Sequence, residues 1–112
     1  MREFRISRDA QEDLDAILEV SEDRWGADAR DRYERLIAQA FRQIASDPMT
    51  VLGRERRALP RGVKTLHLRA ISARPAVREP VHVVFYRVTT REIEIIRVLH
   101  ERMHFESHLG RR

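Results

Sequence analysis

The first half of the chain has the hydrophobic period of two helices. Polar and apolar residues alternate over residues 3–7, which is typical of a short, half-buried strand. Ser7 then stands where a helix N-cap belongs, with Asp9 in the first turn. The helix that follows is expected to end near Arg24-Trp25-Gly26, because glycine suits the left-handed position after a helix. Its apolar stripe consists of Ala10, Leu14, Ile17 and Leu18.

A second apolar stripe predicts a longer helix. It repeats at the helical period over about four turns and consists of Ala29, Tyr33, Leu36, Ile37, Ala40, Phe41 and Ile44. The sequence Ser46-Asp47-Pro48 is expected to end this helix, because the residue before a proline is pushed away from helical angles. Two amphipathic helices joined by so short a turn are expected to fold back as an antiparallel hairpin.

The second half changes to a strand pattern. Residues 63–71, 81–88 and 92–99 are rich in β-branched and aromatic side chains, which predicts three strands. The link of residues 89–91 is short enough only for a hairpin. Residues 49–62 contain glycine and proline and predict a loop, which four arginines make basic: Arg54, Arg56, Arg57 and Arg61. Residues 72–80 contain two prolines and predict a looser connection.

This order of elements predicts a two-layer α+β domain. The arrangement is β-α-α-β-β-β, with an N-terminal strand, an antiparallel helical hairpin packed on an antiparallel sheet, and a short C-terminal helix. At 112 residues the chain is long enough for one modest core, so residues 1–112 are expected to form a single domain. The second face of the sheet is expected to be at least partly open, and a partner is expected there beside Arg69, Arg87 and Arg97.

Charge is distributed unevenly along the chain. Residues 1–50 hold 12 acidic and 8 basic side chains, whereas residues 51–112 hold 14 basic and 6 acidic ones. A basic half of this kind favours an acidic partner, either nucleic acid or an acidic protein segment. The absence of cysteine excludes disulfides and a thiolate zinc site. Without an apolar run of membrane length or a secretory signal, no membrane contact is expected, and cytoplasmic residence is the expectation.

Three histidines near the C-terminus, His100, His104 and His108, are spaced by four residues, as zinc ligands on one helical face can be. His100 directly follows a strand, however, so a single helical face through all three is not expected. We therefore expect no metal and no cofactor. In this interpretation His100 closes the last strand, and the other two lie on a short helix anchored by Met103, Phe105 and Leu109.

Several motifs make the chain similar to a known family. The first helix carries Asp13-Leu14-Asp15-Ala16-Ile17 and runs into Arg24-Trp25-Gly26, and the second begins with Ala29, Tyr33 and Leu36. The last strand and tail read Ile96-Arg97-Val98-Leu99-His100-Glu101-Arg102-Met103, then Ser107-His108-Leu109. With these motifs the chain resembles the RelE/ParE superfamily of bacterial toxins, and it is most similar to the ParE branch. Its departures are His104, where ParE-like tails commonly carry aspartate, and two longer, arginine-rich connections.

The resemblance implies a toxin of a type II toxin–antitoxin module that binds rather than catalyses. ParE toxins poison DNA gyrase, and a ParD-like antitoxin, a ribbon-helix-helix protein with an acidic tail, neutralises them. DNA contact is then only indirect, through the toxin–antitoxin complex. The gyrase-contact candidates are Arg97, His100, Arg102, Met103 and His104. The antitoxin-binding candidates are Trp25, Arg69, Tyr86 and Arg87.

A ribosome-dependent messenger RNA endoribonuclease of the RelE type is the alternative. That chemistry needs a base for the ribose hydroxyl, an acid for the leaving oxygen and cations for the phosphorane charge. The residues that could supply them are His67, Arg69, His82, Tyr86, Arg87 and His100. The tail does not show the basic residues followed by a closing tyrosine or histidine-tyrosine pair that RelE-like nucleases use, so no catalytic residue is assigned. A third possibility is a chain that binds its antitoxin but has lost toxicity.

Overall fold

Both helices begin and end close to where the sequence pattern predicts. In the computed structural model, which describes residues 2–55, 59–71, 80–103 and 108–109, helix α1 spans Arg8–Trp25 and helix α2 spans Ala27–Ser46. The Ser7 hydroxyl accepts a hydrogen bond from the backbone N–H of Ala10, which confirms the predicted N-cap. Gly26 separates the helices with φ of +92°, a conformation that favours glycine. Neither helix is apolar enough over its length to cross a bilayer.

Within the described part of the chain, five strands form one sheet in the order β1-β5-β4-β3-β2. Their bounds are β1 Glu3–Ile6, β2 Arg54–Glu55, β3 Val63–His67, β4 His82–Val88 and β5 Glu92–His100. The pairs β2–β3, β3–β4 and β4–β5 are antiparallel, whereas β1 lies parallel to β5. The predicted α+β class is confirmed, but the sheet is mixed rather than wholly antiparallel because the first strand pairs with the last.

Two local features differ from the expected strands. The basic loop contains β2, which pairs with β3 through Arg54 and Glu55. The strand predicted for residues 63–71 ends at His67, and Leu68–Ala70 form a short 3-10 turn. The His67 Nδ1 atom accepts the backbone N–H of Arg69, at 3.0 Å, and this side-chain bond favours the turn over a continued strand.

The main core lies between the helical hairpin and one face of the sheet. Both predicted helical stripes contribute to it, and Leu14, Ala40 and Ile44 are among its buried members. Alternate residues of β4 and β5, such as Val84 and Ile95, contribute to this core from the sheet, as the two-residue period of a strand requires. This packing fixes which face of the hairpin is turned to solvent.

A second, smaller core lies on the opposite face of the sheet. Val63, Val83, Phe85 and Leu99 are each at most 2% exposed, and Leu59 completes the cluster. Ile96 and Leu109 are partly buried and pack against it. The second face, which was expected to be at least partly open, is therefore covered at its centre. The predicted C-terminal helix lies mostly outside the described residues, since only His108 and Leu109 of it are described.

Gly53 and Tyr86 provide a test of the main core. The buried Tyr86 hydroxyl has no hydrogen-bond partner among the described residues, and a Cβ atom on Gly53 would overlap it. We expect Gly53→Ala to lower the free energy of unfolding by about 1–3 kcal/mol, measured by denaturant titration. Tyr86→Phe alone should be close to neutral, because the lost hydroxyl is unpaired. In the double variant most of the stability should return; a strictly additive loss would contradict this packing.

Candidate functional site

Ser7, the N-cap of α1, and Asp13 within α1 bind the edge of β5 where β1 ends. The Ser7 backbone N–H donates to the Ile95 carbonyl at 2.9 Å, and the Ser7 hydroxyl donates to the Ile96 carbonyl at 2.7 Å. Further along the same edge, the Val98 N–H donates to Asp13 Oδ2 at 2.9 Å. The helix thus satisfies backbone groups that no strand reaches.

Arg97 joins this edge to the C-terminal segment, the part of the chain after β5, of which residues 101–103 and 108–109 are described. Its Nε and Nη2 atoms donate to the two carboxylate oxygens of Asp13, each at 2.8 Å, and its Nη1 donates to the His108 carbonyl at 3.1 Å. The side chains of Arg97 and Asp13 are only 18% and 14% exposed. The hydrogen bond from Arg97 to Asp13 raises the pKa of the guanidinium further. A bulge at Ile96, between the pairs Phe85–Arg97 and Tyr86–Ile95, interrupts the register at this point.

His82 lies on the helix-facing side of the sheet. Its Nδ1 atom is 2.5 Å from the Tyr33 hydroxyl of α2, and its ring meets the edge of His100 with centroids 5.7 Å apart. The pKa of His82 is lowered to about 4, mainly by burial and in addition by the neighbouring His100 and His67. Burial also raises the pKa of Tyr33 to about 12. The hydroxyl therefore donates, and the neutral imidazole accepts.

His67 lies on the opposite side, because its register partner is Val83, the residue after His82. Its Nδ1 accepts the Arg69 N–H, so Nε2 carries the proton and donates to Glu101 Oε1 at 2.7 Å. This hydrogen bond lowers the pKa of Glu101. The imidazoles of His67 and His82 thus both form hydrogen bonds within the chain.

The residues that the nuclease alternative requires are not gathered on one surface. His67 and His82 point to opposite faces of the sheet, and the Tyr86 ring is fully buried, with its pKa raised by burial to about 12. His100 closes β5, as predicted, and its Nδ1 accepts the Arg102 N–H at 3.1 Å. Within the residues that the structure describes, no group of three or more histidine or carboxylate side chains is arranged to hold a metal ion.

The predicted antitoxin-binding residues have unequal access to solvent. Trp25 is 68% exposed at the tip of the hairpin, where the Arg24 guanidinium lies 5.9 Å from its ring centre. Arg69 is exposed and Arg87 is half-buried. Tyr86 is not brought to the surface, because its ring fills the core beneath the helices.

The predicted gyrase-contact residues divide in the same way. Arg102 is exposed and Met103 is 45% exposed on the turn after β5, whereas His100 is half-buried. Arg97 is held by Asp13, and His104 lies outside the described residues. Sequence reasoning missed Asp13 as a structural residue. The available signal was its place three residues after Ala10 and four before Ile17, on the flank of the apolar stripe.

The contact between His82 and Tyr33 predicts a pH-dependent stability. The folded state holds the pKa of His82 near 4 instead of the usual 6.5, so the unfolded chain binds the proton more readily between these values. The stability is complete above pH 6.5 and falls as the pH decreases towards 4, by up to about 3 kcal/mol. Thermal unfolding across this range should show a weaker pH dependence in His82→Gln and the wild-type dependence in the exposed control His108→Gln. An unchanged slope in His82→Gln would contradict the assignment.

The chain is similar to known proteins over almost its whole length. The profile of the family described as "ParE toxin of type II toxin-antitoxin system, parDE" matches residues 4–105. A protein named Toxin ParE1 from Caulobacter vibrioides is 40% identical over 110 residues, which is 98% of this chain and 100% of the relative. A Toxin ParE1 from Mycobacterium tuberculosis is 31% identical over 107 residues, 95% of this chain and 96% of that protein.

Solved structures have the same architecture. A chain of a chromosomal ParDE toxin–antitoxin system from P. aeruginosa superposes with a TM-score of 0.70 at 25% identity, over 89% of this chain and 96% of that one. A chain of the E. coli DinJ-YafQ toxin–antitoxin complex matches with a TM-score of 0.52 at 13% identity, over 89% and 93% of the two chains, and shows the fold alone. These matches confirm the resemblance drawn from the helix and tail motifs, and with it the interpretation as a non-enzymatic toxin. The chain belongs to the ParE family of toxins from type II toxin–antitoxin systems.

Proposed function

We propose that this toxin binds DNA gyrase, stabilises the state in which gyrase has cleaved DNA, and is neutralised by a ParD-like antitoxin. The agreement with ParE toxins over residues 4–105 is the observation that carries the proposal. A binder of this kind needs no reacting group, since a ligand shifts an equilibrium by its different affinity for the two states. A preference of about 1.4 kcal/mol for the cleaved state raises its population roughly tenfold relative to the intact state. The action on gyrase requires cytoplasmic residence, which stays a prediction.

The turn after β5 is the surface we assign to the target. Arg102 and Met103 present a cation and a flexible apolar side chain to solvent, and the half-buried His100 lies beside them. Hydrogen bonds fix this turn, because Glu101 N–H donates to the Val81 carbonyl and Met103 N–H donates to the His100 carbonyl. A fixed turn loses little entropy on binding. His104 remains a candidate of the same surface.

The antitoxin contacts that we propose lie on different elements of the toxin. Trp25 lies at the tip of the hairpin, Arg69 follows β3, and Arg87 lies near the end of β4. The domain measures 38 Å along its longest axis, which an extended tail of roughly 12 residues spans at about 3.3 Å per residue. A tail that folds on its target can cover such separated contacts.

The charge of the toxin surface favours some positions of an acidic tail over others. Helix α1, residues 8–25, carries seven acidic and two basic side chains, so an acidic tail is repelled along its exposed face. We expect apolar residues of the tail to meet Trp25 and its carboxylates to meet Arg69 and Arg87. The core position of Tyr86 leaves it to support the sheet beneath this partner.

A DNA-cleavage assay tests the proposed target. Purified toxin should increase the double-strand breaks that gyrase leaves in plasmid DNA when detergent traps the complex, and equimolar cognate antitoxin should abolish the increase. No increase at saturating toxin would overturn the gyrase proposal. Ribosome-dependent cuts in messenger RNA in a parallel reaction would favour the nuclease alternative.

Calorimetry with the cognate antitoxin tests the assigned surface. Trp25→Ala should weaken binding by about tenfold or more, because exposed tryptophans that become buried contribute about 2 kcal/mol at interfaces. Its melting temperature should not change, since the ring is largely exposed in the free toxin. The matched control is Val51→Ala, at a side chain that is 91% exposed. Equal affinity of the two variants would exclude Trp25 from the interface.

A further inference from the structure

Three parts of the chain meet at the Arg97 side chain: helix α1, strand β5 and the C-terminal segment. Two of its nitrogen atoms bind the Asp13 carboxylate and a third binds the His108 carbonyl. We infer that Arg97, oriented by Asp13, is a positioning residue that holds the C-terminal segment for toxicity without touching the target. The inference rests on the proposed function in taking the turn after β5 as the target surface.

The geometry of the guanidinium fits this role. Its nitrogens form a planar fork, so one side chain can hold a carboxylate with two donors and still direct a third donor elsewhere. Asp13 is itself fixed, because Oδ2 also accepts the Val98 N–H. The side chains of Arg97 and Asp13 are largely shielded from water, so their contacts within the protein fix the orientation of the guanidinium. The Nη1 atom, which does not bind Asp13, donates to the His108 carbonyl.

The C-terminal segment is fastened at both of its described ends. At its start, the Glu101 and Met103 N–H groups donate to backbone carbonyls, and Glu101 is also bound by His67. At its far end, Arg97 holds the His108 carbonyl and Leu109 packs against the second core. Among the described residues, the Arg97 contact and the packing of Leu109 are the restraints on this far end, so loss of the first leaves the second.

The low exposure of Arg97 separates positioning from contact. The other ion pairs of the described residues that involve arginine have arginine side chains at least 41% exposed, so Arg97 is the one withdrawn from solvent. A residue that binds a large partner directly must offer its charge to that partner, whereas the side chain of Arg97 is only 18% exposed and each of its three nitrogens already donates within the chain. Its influence on a target therefore passes through the backbone it holds.

Arg97→Lys and Asp13→Asn are the informative variants. Lysine keeps the charge but cannot bind Asp13 with two donors and reach His108 as well. Asparagine still offers an oxygen to the Val98 N–H, so the edge of β5 stays satisfied while the ion pair is lost. Arg5→Lys provides the matched control, because Arg5 binds Glu94 at 2.8 Å on the same sheet but is 58% exposed.

Three measurements are made on each variant: the methyl order parameters of Leu109 and Ile37 by NMR relaxation, the inducer dose that halts bacterial growth, and affinity for the cognate antitoxin. In Arg97→Lys and Asp13→Asn we expect the Leu109 order parameter to fall about twofold while that of the core residue Ile37 is unchanged. The dose should rise at least tenfold and the affinity should change less than threefold. Arg5→Lys should match the wild type in all three.

Each other outcome decides against the inference. An unchanged Leu109 order parameter in Arg97→Lys shows that Arg97 does not hold the segment, whatever happens to growth. A loosened segment with undiminished toxicity shows that its position does not matter to the target. Failure of the gyrase proposal is recognised separately, by wild-type toxin that halts growth without raising gyrase-dependent cleavage, and it leaves these comparisons valid.

Discussion

The architecture depends on how the edge of β5 is satisfied after β1 ends. Strand β1 has four residues and β5 has nine, so the outer edge of β5 would present unpaired backbone groups beyond Ile95. Ser7, the N-cap of α1, and Asp13 within α1 bind these groups in place of a strand. Because an unpaired buried N–H costs about 1–3 kcal/mol, the helix is fixed against the sheet at a definite height. The rest of the hairpin, including the exposed Trp25, is oriented from there.

Local elements could be predicted because their signals are local. The Ser7 cap, the glycine after α1 and the proline after α2 are each read from a few neighbouring residues, and they define the hairpin closely. The pairing of β1 with β5 could not be read in this way, because the residues involved are almost 90 positions apart and the strand pattern specifies a face but no partner. The Asp13–Arg97 pair was hidden for the same reason.

The second core could be predicted from a feature of the sequence other than the alternation of polar and apolar residues. Strand β4 contains the run Val83-Val84-Phe85-Tyr86, and an uninterrupted apolar run is typical of a strand covered on both faces. Phe85 packs in the second core and Tyr86 in the main one. The candidate site was harder to predict, since a surface that binds has no chemical motif. Trp25 and Met103 are recognisable as exposed apolar residues only once the fold is known.

The parallel pairing of β1 with β5 also has a consequence for synthesis on the ribosome. The helical hairpin can form from the first half of the nascent polypeptide, but β1 has no neighbour until the final strand has been translated. Closure of the sheet over such a separation is intrinsically slow. The complete sheet is thus delayed until β5 has been translated, and during that interval the helical hairpin is present without the strand that closes the sheet beside it.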